Sequence, residues 1–166
     1  LVMSLYMGFV PENQKTQVIE RLKKKLDDKK CHLDTGFVGT PYLCPTLSKN
    51  GLNDYAYTLL LNEDFPSWLY EVNMGATTIW ERWNSVLPNG YVSDTGMNSM
   101  NHYSYGSIVE WMYRYMCGLN PVESHPGFKE VVIKPQTDDR LGWVECEYLS
   151  AAGLYKISWK IEQGKT

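Results

Sequence analysis

The sequence has no C-x-x-C pair among its four cysteines and no histidine pair near any of them, so a zinc site is not expected. No oxygen-rich loop has calcium-site spacing either, and neither metal nor cofactor is expected. There is no apolar run near 18 residues and no leader segment in view, so nothing here is expected to span a membrane. Basic charge is not in excess: 16 Lys and Arg stand against 19 Asp and Glu, for a net charge of −3. That balance excludes an ordinary nucleic-acid binder, whose phosphate contacts need clustered Lys and Arg. The one basic run, Lys23 to Lys25 with Lys29 and Lys30, is offset by Glu20, Asp27 and Asp28 and reads as a solvated helix face.

Phenylalanine is scarce too, with four residues against six Trp and twelve Tyr. Trp and Tyr join a broad apolar face to a polar tip, which suits stacking on flat faces, sugar rings included. An aromatic-rich core explains most of them. Hydrophobic residues make up 43% of the 166, enough for one packed domain, or one domain and part of another. The even cysteine count allows disulfides. Cys44 and Cys117 sit among apolar neighbours on apparent helices, which favours buried free thiols.

The first two-thirds reads as helix. Pro11 suits a first helical position, and Val18, Ile19, Leu22 and Leu26 make a stripe at helical spacing over residues 12–29. "TPYLCPTLSKNG" reads as a helix with Thr40 as N-cap, Pro41 at the first position and Gly51 as the stop; Pro45 weakens it. "LNDYAYTLLLNED", "SWLYEVNMG", "TTIWERW" and "YSYGSIVEWMYRYMCGLNP" follow as further helices. Short links between them suggest antiparallel neighbours.

From Gly127 the period becomes two. "FKEVVIKP", "GWVECEYLS" and "LYKISWKI" read as strands, the last two joined as a hairpin through "SAAG". The change predicts two regions, residues 1–120 and 127–166. Three strands make a poor domain alone. The chain opens on what resembles a helix end and stops just after a strand, so both ends read as cut from something longer.

Within "GATTIWERW" Glu81 has two local readings. Thr78 and Glu81 fit a capping box, with Thr at the N-cap and Glu three residues on. Against that, Trp80 and Trp83 flank the acid, and apolar rings beside a carboxyl suit it to proton transfer. Gly75 and Ala76 leave room for a ligand to approach the backbone. A loop of about 20 residues follows, from Asn84 to Tyr103, longer than a compact domain usually needs. It ends in "MNSMNHYSYG", where Asn101 and His102 bring polar groups to the next helix.

"TGFVGTPYLCPTL", "EDFPSWLYEVNMGATTIWERW" and "MNSMNHYSYGSIVEWMYRYMCGL" resemble the C-terminal part of the catalytic region of bacterial α-L-rhamnosidases, glycoside hydrolase family 78. "PGFKEVVIKP" and the hairpin after it resemble the β-sandwich that follows that region. The resemblance runs from about residue 30 to the end. It implies a mainly α chain with a C-terminal β part: a partial (α/α)6 barrel, then antiparallel strands of a truncated β-sandwich.

The family inverts configuration with two carboxyl groups, one protonating the glycosidic oxygen and the other activating water. By resemblance Glu81 matches the general base, and His102 a histidine that contacts rhamnose. Trp80 and Asn101 join the implied substrate-binding set. The general acid belongs to a segment upstream of Leu1. Should a second acid lie within the chain, Glu71, Asp94 and Glu110 are the candidates, although Glu110 has Arg114 at i+4 to pair with. Trp68 and Tyr70 read as packing. The implied partners are rhamnose-containing glycosides or polysaccharides. Apolar helix faces that the rest of a barrel would cover predict self-association of the isolated chain. Two other functions fit the residues: an (α/α)6 glycosidase for another sugar, and a non-catalytic carbohydrate-binding or interaction part. The pairing of "GATTIWERW" with "NHYSYG" selects the rhamnosidase reading over both. Cytoplasmic and secreted or periplasmic locations fit equally.

Overall fold

The computed structural model describes residues 1–93 and 96–162. The chain divides into two units, Leu1–Ile108 and Val109–Thr166.

Five α-helices are described in the first unit before the long loop: α1 (Val2–Tyr6), α2 (Glu12–Asp28), α3 (Thr40–Lys49), α4 (Asn53–Leu61) and α5 (Trp68–Asn73). In α2 the stripe is only half used: Leu22 and Leu26 are buried, Val18 and Ile19 half-buried. Pro11 is its N-cap, with Glu12 in the first turn and Lys25 in the last, where each sign suits the helix dipole. The start of α3 lies one residue earlier than expected. Gly39 is the N-cap and Thr40 already helical; the Thr40 hydroxyl donates back to the Gly36 carbonyl at 2.9 Å. Pro45 lies inside α3 without ending it.

The core centres on the α3–α4 hairpin, with Leu43, Cys44 and Leu47 from α3 and Ala56, Tyr57, Leu59 and Leu60 from α4 all buried. Gly51, at φ +76°, makes the tight reversal between them. Ser67 caps α5 by accepting the Tyr70 N–H at 3.0 Å. Trp68 and Tyr70 are packing residues, as read. The Trp68 indole donates to the Tyr105 carbonyl at 2.9 Å, and the Tyr70 hydroxyl to the Val86 carbonyl at 2.8 Å.

Two expected helices differ. "TTIWERW" is not helical. Its run of Thr77, Thr78 and Ile79 is β-branched, and seven residues are too few to nucleate a helix alone. The segment expected as one last helix is a 3₁₀ turn (Ser104–Ser107), a short α6 (Ile108–Trp111) and a π-turn (Met112–Met116).

In the second unit β1 (Leu119–Pro121) pairs antiparallel with β2 (Val131–Ile133), and β3 (Trp143–Ser150) with β4 (Gly153–Lys160). The β3–β4 hairpin follows the period-two reading. Ile157 and Trp159 are buried, and the Trp159 indole donates to the Met116 carbonyl at 2.8 Å. Glu147 faces Lys156 across the hairpin and pairs with it. All four cysteines are free; Cys44 and Cys117 are buried, Cys31 and Cys146 half-buried. Burial, then the Cys146 thiol beside it, pushes the Cys117 thiol up to about 12. Among the described residues no helix is long and apolar enough to cross a membrane.

Candidate active site

Gly75, at φ +86°, turns the chain out of α5. Among the described residues from there to Tyr103 the backbone forms no helix, and one bridge joins Val86 to Val92. Residues 78–81 run beside residues 99–102. The Glu81 N–H donates to the Ser99 carbonyl at 2.9 Å, and the Ser99 N–H donates to the Glu81 carboxylate at 2.7 Å. The His102 N–H donates to the Ile79 carbonyl at 2.8 Å. The Thr78 hydroxyl donates to the Met100 carbonyl. The capping box is therefore not formed. Thr78 and Glu81 use their oxygens across the loop rather than along a helix.

These bonds bring three of the expected site residues onto adjacent segments. Glu81 is half-buried, with its carboxylate held by one backbone N–H. His102 is half-buried and accepts the Ser104 N–H at Nδ1, 3.3 Å away. A neutral imidazole held this way carries its proton on Nε2, a donor suited to a sugar hydroxyl. Asn101 is exposed beside it, its N–H given to the Ser99 hydroxyl at 3.1 Å. Trp80 is the most enclosed of the four. The residue is 4% exposed, and Trp83 is buried as well.

Two supports carry no sequence signature. The first is aromatic. The His102 ring stacks on Phe37 with centroids 4.7 Å apart, and on Tyr103 at 5.3 Å. Phe37 in turn packs on Tyr105, and Tyr105 stacks on Trp83 at 3.8 Å. The second is a polar knot inside the loop. Ser85 is fully buried; its hydroxyl binds the Asn98 side-chain oxygen, and the Asn98 amide donates to the Ser85 and Ser93 carbonyls, each at 3.2 Å. These bonds tie residues 85, 93 and 98 of the loop together.

Of the alternative acids, Glu110 is exposed and pairs with Arg114 at 3.0 Å, as the i+4 spacing predicts. Asp94 lies outside the described residues. Glu71 is 2% exposed, and burial pushes its carboxyl up from 4.5 to about 7 although the Trp80 N–H partly opposes this. Below the ordinary carboxyl value the group is neutral folded and unfolded, so it has no effect on stability. As pH rises from there to about 7 the unfolded chain ionises first, and stability falls. Above that range the buried charge costs about 3 kcal/mol. Glu71→Gln is therefore expected to melt higher than the parent at pH 8 and no higher at pH 4, as read by circular dichroism. Equal gains at both values would contradict this. Among the described residues no group of three or more His, Cys, Asp and Glu is placed to hold a metal.

Residues 1–116 match the family model described as bacterial alpha-L-rhamnosidase 6 hairpin glycosidase domain. Residues 118–166 match the bacterial alpha-L-rhamnosidase C-terminal domain. The chain is 39% identical to an alpha-L-rhamnosidase of Streptomyces avermitilis, covering 98% of itself and 16% of that protein. It is also 39% identical to one from Alteromonas sp. (strain LOR), covering 95% and 17%. The crystal structure of the Streptomyces avermitilis enzyme complexed with L-rhamnose superposes with a TM-score of 0.92. Native α-L-rhamnosidase from Aspergillus terreus gives 0.93 at 35% identity, over 98% of this chain and 19% of that one. The chain therefore spans about a sixth of the length of the curated relatives it matches. A partial six-hairpin helical domain, followed by two small antiparallel sheets, belongs to the bacterial α-L-rhamnosidase family.

Proposed function

We propose that these residues supply the general-base side of an inverting α-L-rhamnosidase. The observation that carries this is the bonding of the Glu81 segment to the His102 segment, which brings the Glu81 carboxyl group and the His102 ring onto adjacent segments of one loop. Glu81 takes a proton from water while the water oxygen bonds to the anomeric carbon. The glycosidic bond breaks on the opposite face, and an acid from outside these residues protonates the leaving oxygen. Inverting pairs lie about 6.5–9.5 Å apart, which leaves room for that water. His102 and Asn101 hold the sugar, and Trp80 packs behind the base. The substrates are rhamnose-containing glycosides; L-rhamnose is the ligand in the Streptomyces avermitilis structure. Residues 1–120 act as barrel and 127–166 as the start of a β-domain.

The isolated 166 residues are expected to be inactive. Proton NMR of the longest gene product carrying them, with an α-L-rhamnoside, should show β-L-rhamnose forming first. The α anomer forming first would overturn the inverting mechanism. For the isolated chain we expect association, because Phe9, Val38 and Tyr91 are each more than 70% exposed. A monomer in light scattering would count against this. Phe37→Ala should loosen the His102 ring and weaken L-rhamnose binding about three- to tenfold, the worth of one aromatic pair. Calorimetry showing unchanged affinity would remove Phe37 from the site.

A further inference from the structure

The peptide between Ile79 and Trp80 is approached from two sides. Its carbonyl accepts the His102 N–H at 2.8 Å. Its N–H faces the Glu71 carboxyl oxygen Oε2 at 3.5 Å, the outer limit of a hydrogen bond. Glu71 also grips the chain five residues on, where its own carbonyl accepts the Ala76 N–H at 3.0 Å. One residue thus touches both ends of "ATTIW", the stretch that leads directly into Glu81.

The second oxygen of Glu71, Oε1, is buried and has no hydrogen-bond partner among the described residues. A side chain 2% exposed with an orphan oxygen breaks the rule that buried polar groups are paired. An apolar side chain of similar size would pack there at lower cost. Such departures concentrate at functional sites. Glu71 therefore meets the segment that carries Glu81 through the Trp80 N–H, on the same peptide whose carbonyl takes the His102 N–H.

We propose that Glu71 is a positioning residue for the rhamnosidase reaction: it holds the Ile79–Trp80 peptide against His102 and so fixes Glu81 and His102 relative to each other. This rests on the reading of Glu81 as base. Glu71 itself is too buried to touch substrate.

Two substitutions test it in the longest gene product that carries these residues. Glu71→Gln keeps the reach and an acceptor oxygen. Glu71→Asp keeps the carboxyl but withdraws it by one methylene. Each is assayed for kcat and KM on a chromogenic α-L-rhamnoside, for L-rhamnose binding by calorimetry and for melting, beside Glu81→Gln. The expected result is Gln within threefold of the parent in kcat. Asp should fall at least tenfold in kcat, with KM and rhamnose affinity within twofold. Equal kcat for Gln and Asp would overturn the proposal. So would a loss in Asp carried by KM or rhamnose affinity, or a Gln variant that fails to fold. If Glu81→Gln keeps full activity, the base reading itself fails. If Glu81→Gln is inactive while Asp equals the parent, only the role of Glu71 fails.

Discussion

Glu81→Gln, in the longest gene product that contains these residues, is expected to lose about 10²–10⁴-fold in kcat on an α-L-rhamnoside. The amide keeps the shape of the side chain and can still accept the Ser99 N–H that now holds the carboxylate at 2.7 Å. What it loses is the ability to take a proton from water. KM should change little, because a base in the proposed role meets the water rather than the sugar. A variant that keeps a tenth or more of the parent's kcat would show that another group does this work. Steady-state kinetics with a chromogenic substrate checks both parameters in one experiment.

Gly118→Ala is expected to be the most damaging single substitution in the second unit, costing about 4 kcal/mol or more. Gly118 adopts φ +78°, where a side chain is strained. A Cβ there would lie 2.2 Å from the Pro135 nitrogen and 2.3 Å from the Lys134 carbonyl carbon. Both are backbone atoms with no rotamer to turn away. The close approach is built in: the Lys134 N–H donates to the Gly118 carbonyl at 2.9 Å, immediately beside the β1–β2 pairing. The overlap can be relieved only by parting those two strands. Hydrogen exchange should show loss of amide protection over 119–133 together with a lower melting temperature. Parental protection in the variant would contradict this account.

The same glycine shows what the sequence can and cannot disclose. Gly118 reads as a helix stop, and the helical turns do end just before it. Its second role depends on residues 134 and 135, which no local pattern connects to it. Strand β1 is only three residues long and has no periodicity to detect. Helices α2 to α5 were legible because apolar stripes and Gly or Pro punctuation agree with the tertiary packing. The β3–β4 hairpin was legible because one face alternates strictly. "TTIWERW" misled because its capping pattern is local, whereas the bonds that win reach about 20 residues along the chain to Ser99, Met100 and His102.

The candidate site follows the same division. The roles of Glu81 and His102 were read through family resemblance, and Asn101 through its place at the polar end of the long loop. Phe37 had no signature, and Glu71 was named only as an alternative acid. Phe37 matters only because His102 stacks on it, and Glu71 only because folding buries it behind Trp80. Trp80 and Trp83 flank Glu81 in the sequence, and folding buries both.

The most direct test of Glu81 as general base is rescue by azide of Glu81→Ala in the longest gene product, using a rhamnoside with a good leaving group. Azide needs no proton removed and can occupy the space left by the side chain. The expected result is activity that rises with azide and a product identified by NMR as β-L-rhamnosyl azide, formed on the face where Glu81 would activate water. No rescue, with the parent fully active under the same conditions, or an α-configured azide, would contradict the assignment.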